Sequence, residues 1–274
     1  MSRIALITGG GSGIGAAVSR LLAGSGYQVC VAGRRSGPIA EVAASTGGHA
    51  VTADVADPDG AATMVQACIE RFGRLDALIV SSGTGGSGSV GEQTLERWSG
   101  VLATNLTGAF LVCRAALPHL IEARGAVVTV ASLAGLQADP GSAAYCASKA
   151  GLIMLTKCIA LDYGPLGVRA NCVCPGWIQT AMADAAMDDL AARTATDRDG
   201  AYSLATANVP ARRAGAVEEA AEAIAWLASP AASYVSGAVL TVDGGAAVVD
   251  VGTLAFATNA EPVQSRTSAD TRGD

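Results

Sequence analysis

Residues 8–15 read Thr8-Gly9-Gly10-Gly11-Ser12-Gly13-Ile14-Gly15. An apolar run of strand length precedes this stretch, and apolar residues at helical spacing follow it. Glycines let the backbone turn sharply and approach a pyrophosphate, while the first turn of a helix offers free N–H donors. A glycine cluster alone could be a merely flexible loop. Between the first strand and first helix of a βαβ unit, it predicts a dinucleotide-binding turn.

The same alternation of strand-length runs and helical patterns continues along the chain. Strands are predicted at Ile4–Thr8, Val29–Gly33, Ala50–Ala53, Leu75–Val80, Ala126–Ser132, Arg169–Cys174 and Val239–Val242. Helices are predicted at Gly13–Gly24, Ile39–Ser45, Ala61–Phe72, Leu95–Ile121 with a break, Ala143–Tyr163 and Val217–Ala228. Near-continuous apolar strands that alternate with helices indicate an α/β fold with a doubly wound parallel sheet of Rossmann type.

The pattern indicates one domain over residues 1–256, without a linker that would divide it. Met182–Asn208 is helix-prone and polar, and it interrupts the alternation after the sixth strand. Ala246–Phe256 is apolar but has no sheet partner left, so we expect it to pack at a subunit contact. Residues 257–274 form a polar tail that the composition predicts to be disordered.

Composition excludes several classes of function. The net charge of −6 and the pI near 4.9 do not suit a nucleic-acid-binding surface. Met1 to Arg3 lead directly into the first strand, which indicates no signal peptide, and the apolar stretches are read as too short for a bilayer. The seven cysteines are an odd number and lie mostly in apolar runs, as reduced thiols of a cytoplasmic protein do.

A metal site is not expected. The chain has two histidines and no carboxylate cluster. Cys172 and Cys174, spaced C-x-C on a predicted strand, are interpreted as pointing to opposite faces and therefore as a poor pair of metal ligands.

Tyr145 and Lys149 carry the chemistry that the pattern indicates. Residues four apart share one face of a helix. A phenol with a free pKa near 10 is a poor base at neutral pH, and a neighbouring cation would lower that pKa. Ser132 ends the preceding strand, where its hydroxyl could hold a substrate oxygen. Tyr-x-x-x-Lys alone is more often a surface pair, so the prediction depends on the three residues occurring together with the glycine turn.

The spacing T-G-x-x-x-G-I-G resembles the fingerprint of the short-chain dehydrogenase/reductase family, and the resemblance runs from about Ile4 to Gly245. It is nearest to the single-domain, 3-oxoacyl-reductase-like branch. Further matching segments are Asp54-Val55, Pro175-Gly176 with Thr180, Arg213-Ala214-Gly215 and Val242-Asp243-Gly244-Gly245. One segment departs from the family, which usually has N-N-A-G where this chain has Val80-Ser81-Ser82-Gly83. The bracing asparagine is missing, and serines are expected to supply some of its hydrogen bonds.

The resemblance implies a hydride transfer between a nicotinamide cofactor and a small carbonyl or alcohol substrate, in a homotetramer or homodimer. It implies that Tyr145 is the general acid and base, Ser132 polarises the carbonyl, Lys149 also binds the nicotinamide ribose, and Asn105 holds a water that links Lys149 to solvent. The implied cofactor-binding residues are Gly9, Ser12, Gly13, Ile14, Gly15, Arg34, Arg35, Asp54, Val55, Gly83, Asn105, Tyr145, Lys149, Pro175, Gly176, Ile178 and Thr180.

The end of the second strand bears on the choice of cofactor. An acidic residue there would bind the ribose 2′-hydroxyl of NAD, but Gly33 occupies the position and Arg34 and Arg35 follow. A guanidinium suits the 2′-phosphate of NADP, which makes NADP the preferred cofactor. Alternatively, the arginines line a solvated turn or stack on the adenine of NAD. The loop carries Ser12 where some NADP-dependent members have a basic residue.

Three functions therefore stay open. They are an NADP-preferring carbonyl reductase, an NAD-dependent alcohol dehydrogenase and a non-catalytic nucleotide-binding protein. The last would be expected to have lost Ser132, Tyr145 or Lys149, and all three are present. The sequence leaves the substrate open among 3-oxoacyl thioesters, cyclic or polyketide-like ketones, sugars and small diketones.

Overall fold

The apolar runs form the strands of one parallel sheet. A computed structural model describes residues 2–256, so the predicted tail 257–274 lies outside the described residues. Within them the strands are β1 (Ile4–Thr8), β2 (Gln28–Gly33), β3 (His49–Thr52), β4 (Ala77–Val80), β5 (Ala126–Val130), β6 (Arg169–Pro175) and β7 (Val239–Val242). Their order in the sheet is β3-β2-β1-β4-β5-β6-β7, and every pair is parallel. The prediction of a doubly wound parallel sheet is confirmed.

Helices cover both faces of the sheet. Their bounds are α1 (Gly13–Gly24), α2 (Ser36–Thr46), α3 (Pro58–Phe72), α4 (Leu95–Leu102), α5 (Gly108–Ala123), α6 (Ala143–Tyr163), α7 (Ala181–Thr194), α8 (Arg198–Ala205) and α9 (Val217–Ala228). The predicted break in the fourth helix is real, because a π-helical segment at Ala103–Thr107 separates α4 from α5.

Two apolar cores lie on the two sides of the sheet, because alternate strand residues point to opposite faces. Leu6 belongs to the core under α3, α5 and α6, whereas Ile7 belongs to the core under α1, α2 and α9. Both side chains have no exposed surface. Burial on both faces explains why these strands read as continuous apolar runs.

The strand order reverses between β1 and β4. From β1 the chain winds outward through β2 to β3 and then returns to β4 on the other side of β1. In open parallel sheets, ligands bind at the carboxyl ends of the strands where the order reverses. Here that edge carries the glycine turn after β1 and the Ser81-Ser82-Gly83 turn after β4.

Two long helices correct the prediction about apolar length. Leu95–Ala123 and Ala143–Leu166 are continuous helical stretches of 29 and 24 residues, with mean hydropathies of 1.4 and 1.3, and are long enough to cross a bilayer. The expectation rested on consecutive apolar residues, whereas polar residues interrupt both helices and still leave the mean hydropathy high. Both helices lie against the sheet, with 50% and 39% of their most apolar windows buried, and a core helix of this kind passes the same length test.

The prediction about Cys172 and Cys174 was wrong. Residues two apart on a strand share a face, and both thiols lie in the same core, whereas Val173 lies in the other. The two thiols are close enough for a hydrogen bond, which lowers the pKa of Cys172 to about 7 despite its burial. All seven cysteines are free, and no group of three potential metal ligands occurs within residues 2–256.

The helix-prone segment after β6 forms a hairpin. α7 and α8 bury a small apolar cluster that includes Met187 and Tyr202. Arg198 on α8 pairs with Asp188 on α7 at 2.7 Å, and the Tyr202 hydroxyl donates to Asp184 at 2.8 Å. The hairpin therefore holds itself together and stands over the carboxyl edge of the sheet as one unit.

Candidate active site

A cleft of about 1570 Å³ opens at the carboxyl edge of the strands. Of the residues named from the sequence, its walls contain Gly9, Ser12, Gly13, Ile14, Arg34, Arg35, Asp54, Val55, Gly83, Ser132, Tyr145, Lys149, Pro175, Gly176, Ile178 and Thr180. Gly15 and Asn105 are buried behind these walls. The fold thus brings together residues that are up to 171 positions apart in the chain (from Gly9 to Thr180).

The glycine turn has no room for side chains. A Cβ on Gly9 would lie 2.8 Å from the backbone nitrogen of Ser82, and a Cβ on Gly15 would collide with the carbonyl oxygen of Gly9. Gly9 and Gly13 also have φ values of +66° and +51°, in the left-handed region that favours glycine. The backbone itself therefore forms this wall of the cleft.

Helix α1 begins in this turn with free amide donors. Its N-cap residue, Ser12, makes no capping hydrogen bond, and its first turn contains no acidic residue. By contrast, Asp57 caps α3 and Thr180 caps α7 through their side chains. Uncapped N–H groups and the positive end of the helix dipole suit a pyrophosphate. This turn thus fits a dinucleotide cofactor.

Two arginines flank the far end of the cleft beside β2. The Arg34 guanidinium lies 3.7 Å from the carboxylate of Asp54, and Arg34 is largely exposed. Arg35 reaches back to the glycine turn and donates to the Ser12 hydroxyl at 3.1 Å. Gly33 places no side chain between them. This end of the cleft is cationic, apart from the carboxylate that faces Arg34.

Tyr145, Ser132 and Lys149 meet in the middle of the cleft. Tyr145 and Lys149 lie one turn apart on α6, and the Lys149 ammonium is 5.6 Å from the centroid of the Tyr145 ring. Ser132 follows the end of β5, and its hydroxyl is close enough to lower the pKa of Tyr145 by a hydrogen bond. The three side chains face a common space in which a carbonyl group could contact both hydroxyls.

Burial changes the acid–base properties of this group. The net effect on the Tyr145 phenol is a raised pKa, because the desolvation that comes with burial outweighs the hydrogen bond from Ser132. Burial also lowers the pKa of Lys149 to about 8. The expected lowering of the Tyr145 pKa by Lys149 is therefore not found. The Lys149 ammonium instead donates to the carbonyl oxygen of Val130 at 2.9 Å.

Asn105 is fixed from three directions inside the π-helical segment. Its Oδ1 accepts from the Thr84 amide at 2.8 Å, and its Nδ2 donates to the Thr84 carbonyl at 2.9 Å and to the Ser148 hydroxyl at 3.0 Å. Ser148 in turn donates to the carbonyl of Tyr145 at 2.7 Å. Neither Ser148 nor Thr84 is among the site residues predicted from the sequence. A hydroxyl next to Lys149 on the buried side of α6 was the available signal, since it needs a partner there.

Gly83 separates Asn105 from Lys149. A Cβ at this position would lie 3.5 Å from the Lys149 nitrogen and 3.6 Å from the Asn105 oxygen. In the divergent segment before Gly83, the Ser82 backbone amide donates to the Thr8 hydroxyl at 3.3 Å and ties the β4 turn to β1. The bond expected from a serine side chain thus comes from the backbone.

The Pro175–Thr180 segment closes the cleft opposite the glycine turn. A Cβ on Gly13 would lie 3.2 Å from the Thr180 side chain, so the two loops are in near contact. Gly176 donates to the carbonyl of Val242 at 3.0 Å, and Ile178 pairs with Gly215. The segments that resembled the family's C-terminal signature therefore brace this loop.

Comparisons with known proteins agree with the fold. Residues 9–247 match a family model described as enoyl-(acyl carrier protein) reductase. The chain is 43% identical to protein MoaE of Klebsiella aerogenes over 261 residues, which cover 94% of this chain and all of that protein. It is 36% identical to 2-(R)-hydroxypropyl-CoM dehydrogenase of Xanthobacter autotrophicus, with coverages of 89% and 98%.

Solved structures give the same result. A single-residue variant of an actinorhodin polyketide ketoreductase, solved with NADPH, superposes with a TM-score of 0.86 at 33% identity. The match covers 90% of this chain and 98% of the ketoreductase. The similarity therefore extends over most of the chain rather than over the glycine turn alone.

Proposed function

The chain belongs to the short-chain dehydrogenase/reductase family, and from this we propose that it transfers hydride between NADP(H) and a ketone or secondary alcohol, with Tyr145 as general acid and base. The observation that carries the proposal is the meeting of Ser132, Tyr145 and Lys149 in the cleft that begins at the glycine turn. We take residues 1–256 as the catalytic domain.

The protein residues bind, orient and move a proton. When bound, the nicotinamide ring supplies or accepts the hydride. In ketone reduction, the Tyr145 hydroxyl gives its proton to the carbonyl oxygen, and Ser132 donates a hydrogen bond to the same oxygen. A raised Tyr145 pKa keeps that proton available at neutral pH, since the phenol stays protonated. In the alcohol direction, the charge of protonated Lys149 stabilises the phenolate.

Lys149 has a second task in this proposal. Its ammonium is held by the carbonyl of Val130 and lies near Gly83. From there it would bind the nicotinamide ribose. Asn105, on the other side of Gly83, would hold the water through which Lys149 exchanges protons with solvent. The bonds from Asn105 to Thr84 and Ser148 support this role, because they fix the carboxamide beside the lysine.

NADP is the preferred cofactor in this proposal. Gly33 offers no carboxylate to bind a free 2′-hydroxyl, and the guanidinium groups of Arg34 and Arg35, which face Asp54 and Ser12, make this end of the cleft suitable for a 2′-phosphate. The similar polyketide ketoreductase is described with NADPH. One observation favours the NAD-dependent dehydrogenase as a second candidate. Arg34 already faces Asp54, which would weaken its interaction with a phosphate.

The proposal includes a homodimer or homotetramer. After β7 the chain leaves Val248, Val251 and Phe256 between 76% and 83% exposed, and large apolar side chains in such numbers suit a subunit contact. The seven free cysteines fit a reducing compartment, so we place the enzyme in the cytoplasm. Nothing in the acidic composition favours a nucleic-acid partner.

A substrate and cofactor screen tests the function. The purified protein is incubated with a panel of ketones and NADPH or NADH, and with the matching alcohols and NADP or NAD. We expect oxidation of NADPH by at least one ketone, at a higher kcat/KM than with NADH. Turnover only with NAD and alcohols would favour the second candidate, and tight cofactor binding without any turnover would favour the non-catalytic nucleotide-binding protein.

A further inference from the structure

Gln93 occupies a position that usually favours an apolar side chain. Thr94 is the N-cap of α4 and accepts a hydrogen bond from the Arg97 amide at 3.2 Å, so Gln93 is the residue before the cap. A hydrophobic residue at that position often packs against the fourth residue of the helix. That fourth residue is Trp98, an apolar partner. The start of α4 thus gives no reason for a carboxamide.

The carboxamide is also buried without partners. Neither its nitrogen nor its oxygen makes a hydrogen bond to any residue in the described part of the chain. The large majority of buried polar side-chain atoms in native proteins are hydrogen-bonded, so each exception needs an explanation. Gln93 leaves both a donor and an acceptor unsatisfied on one side chain.

Gln93 lies at the substrate end of the cleft. A Cβ on Gly88 would be 3.4 Å from its oxygen. The amide of Gly88 donates to the carbonyl of Gly141 at 2.7 Å, and Gly88 pairs with Ser142, the residue that precedes α6. Tyr145 follows in the first turn of that helix. The wall that holds Gln93 is therefore joined directly to the start of the catalytic helix.

Gln93 borders the cleft on a backbone that is held in place. Its amide donates to the Ser89 carbonyl at 3.0 Å, and a Cβ on Gly86 would lie 2.7 Å from the Val101 side chain. To enter the cleft, the carboxamide therefore has to rotate about the side-chain bonds of Gln93. Such a rotation costs no hydrogen bond of the Gln93 side chain, because it makes none among residues 2–256.

We propose that the Gln93 carboxamide turns into the cleft and binds a hydroxyl group of the substrate, next to the carbonyl that Tyr145 protonates. This inference rests on the proposed function. A hydroxyl both donates and accepts, so one such group can satisfy both the oxygen and the nitrogen of Gln93. A simple ketone or a thioester offers only acceptors and leaves the oxygen of Gln93 unpaired. The substrate class is therefore an α-hydroxyketone or, in the reverse direction, a vicinal diol.

Matched substrate pairs test this inference. The pairs are 3-hydroxy-2-butanone with 2-butanone, and 2-hydroxycyclohexanone with cyclohexanone, each with NADPH. The wild-type enzyme should have a kcat/KM at least about tenfold higher for the hydroxyketone of a pair. Gln93→Met, which keeps the length and removes the polar atoms, should lower that ratio by about tenfold, and the simple ketone should keep its kcat/KM within about threefold.

Thermal unfolding of the cofactor-free variants gives a second readout. Gln93→Met should raise the unfolding temperature, because it removes two unsatisfied buried atoms and restores an apolar contact for Trp98. Gln137→Met is the matched control. Gln137 lines the same cleft, but it is exposed and donates to the carbonyl of Ala247 at 3.4 Å. Gln137→Met should leave the ratio of kcat/KM between hydroxyketone and simple ketone unchanged, and it should not raise the unfolding temperature.

Two outcomes would overturn the inference and leave the proposed function standing. One is an equal ratio in the wild type and Gln93→Met, as expected if the carboxamide only binds water or packs. The other is turnover of other ketones with no preference for either hydroxyketone. If the protein reduces none of the carbonyl compounds tested with NADPH, the proposed function itself is contradicted.

Discussion

The Lys149 ammonium donates a hydrogen bond of 2.9 Å to the carbonyl oxygen of Val130. Val130 ends β5, and Lys149 lies on the second turn of α6, so this bond joins the sheet to the helix that carries Tyr145. The acceptor is a neutral backbone carbonyl rather than a carboxylate, so this bond does not offset the free-energy cost of burying the positive charge of Lys149. Lys149 is only 4% exposed, and its pKa is lowered to about 8.

Lys149 should therefore make stability depend on pH. The unfolded lysine titrates near 10.5 and the folded one near 8, so between these values the unfolded chain binds more protons. The free energy of unfolding should thus gain up to about 3 kcal/mol from Lys149 as the pH rises through this window. Urea unfolding between pH 7.5 and 9.5 should show this gain in Lys157→Met as in the wild type. In Lys149→Met the rise should be smaller by this amount, and the part that stays comes from the lowered pKa of Cys172.

Lys157 is an exposed lysine on the same helix and serves as the control. The range stops below pH 10 because the raised pKa of Tyr145 acts in the opposite direction above that value. There the unfolded tyrosine loses its proton before the folded one does, so stability falls. A pH profile of Lys149→Met that parallels the wild type would show that Lys149 is charged throughout.

Tyr145→Phe should abolish turnover and keep cofactor binding. The change removes only the hydroxyl that gives or takes the proton, so kcat should fall by about 10²–10⁴-fold. The Kd for NADPH, measured by fluorescence titration, should stay within about threefold. Tyr163→Phe, at the far end of the same helix, should retain the wild-type kcat. A Tyr145→Phe variant with more than about a tenth of the wild-type kcat would exclude Tyr145 as the acid.

Arg34→Ala should weaken NADP(H) binding far more than NAD(H) binding. A contact between guanidinium and phosphate contributes about 1.5–3 kcal/mol, which corresponds to a loss of about 10–100-fold in affinity. Arg35→Ala should weaken both cofactors to a similar extent, because Arg35 donates to Ser12 in the glycine turn, where the pyrophosphate that they share is expected. Equilibrium titrations with all four nicotinamide forms measure both effects. Arg20→Ala, an exposed change on α1 outside the cleft, is the control.

Gly33→Asp supplies the reverse experiment. A carboxylate at the end of β2 should repel the 2′-phosphate and accept from a free 2′-hydroxyl, so preference should move towards NAD(H). Two results would contradict this role of Arg34. They are an equal loss of affinity for both cofactors in Arg34→Ala, and a wild-type enzyme that already prefers NAD(H). Either would mean that Arg34 contacts the adenine or pairs with Asp54 instead.

The exposed apolar residues after β7 predict self-association. Sedimentation velocity at micromolar concentration should give a dimer or tetramer. Val248→Asp and Val251→Asp should shift the distribution towards smaller species, because each places a charge in an apolar contact. A monomeric wild-type protein under these conditions would refute this assembly.

Local patterns were sufficient to predict the sheet and the glycine turn. Strands such as Ile4–Thr8 are buried on both faces and therefore carry their own signal, and the glycines of the turn are required by contacts within a few residues. The error at Cys172 and Cys174 came from misapplying the two-residue period of a strand, not from the pattern itself. The observed ends of several strands and helices differ from the predicted ends by one to three residues, because flanking turns determine where an element ends.

The electrostatics of the cleft could not be predicted in the same way. Whether Lys149 lowers the pKa of Tyr145 depends on how deeply both are buried and on the carbonyl that Lys149 reaches, and only the packing of α6 on β5 determines these. The unsatisfied carboxamide of Gln93 is likewise a property of the folded wall. Its position before a helix cap was readable in the sequence, but its burial was not.

The π-helical segment at Ala103–Thr107 sets the angular phase between α4 and α5. A π turn holds one residue more than an α turn, so deleting a single residue there would convert the segment into regular helix. The shortened segment would keep the angular phase between α4 and α5, because a π turn and an α turn both complete one rotation. A deletion in the regular parts of 95–123 would instead rotate everything before it by roughly 100° about the helix axis, and the cleft wall that precedes α4 would swing away from α6 although no residue of that wall had changed. In a library of single-residue deletions across 95–123, folding should therefore survive best for deletions within 103–107, and an equal loss at every position would contradict this role of the segment.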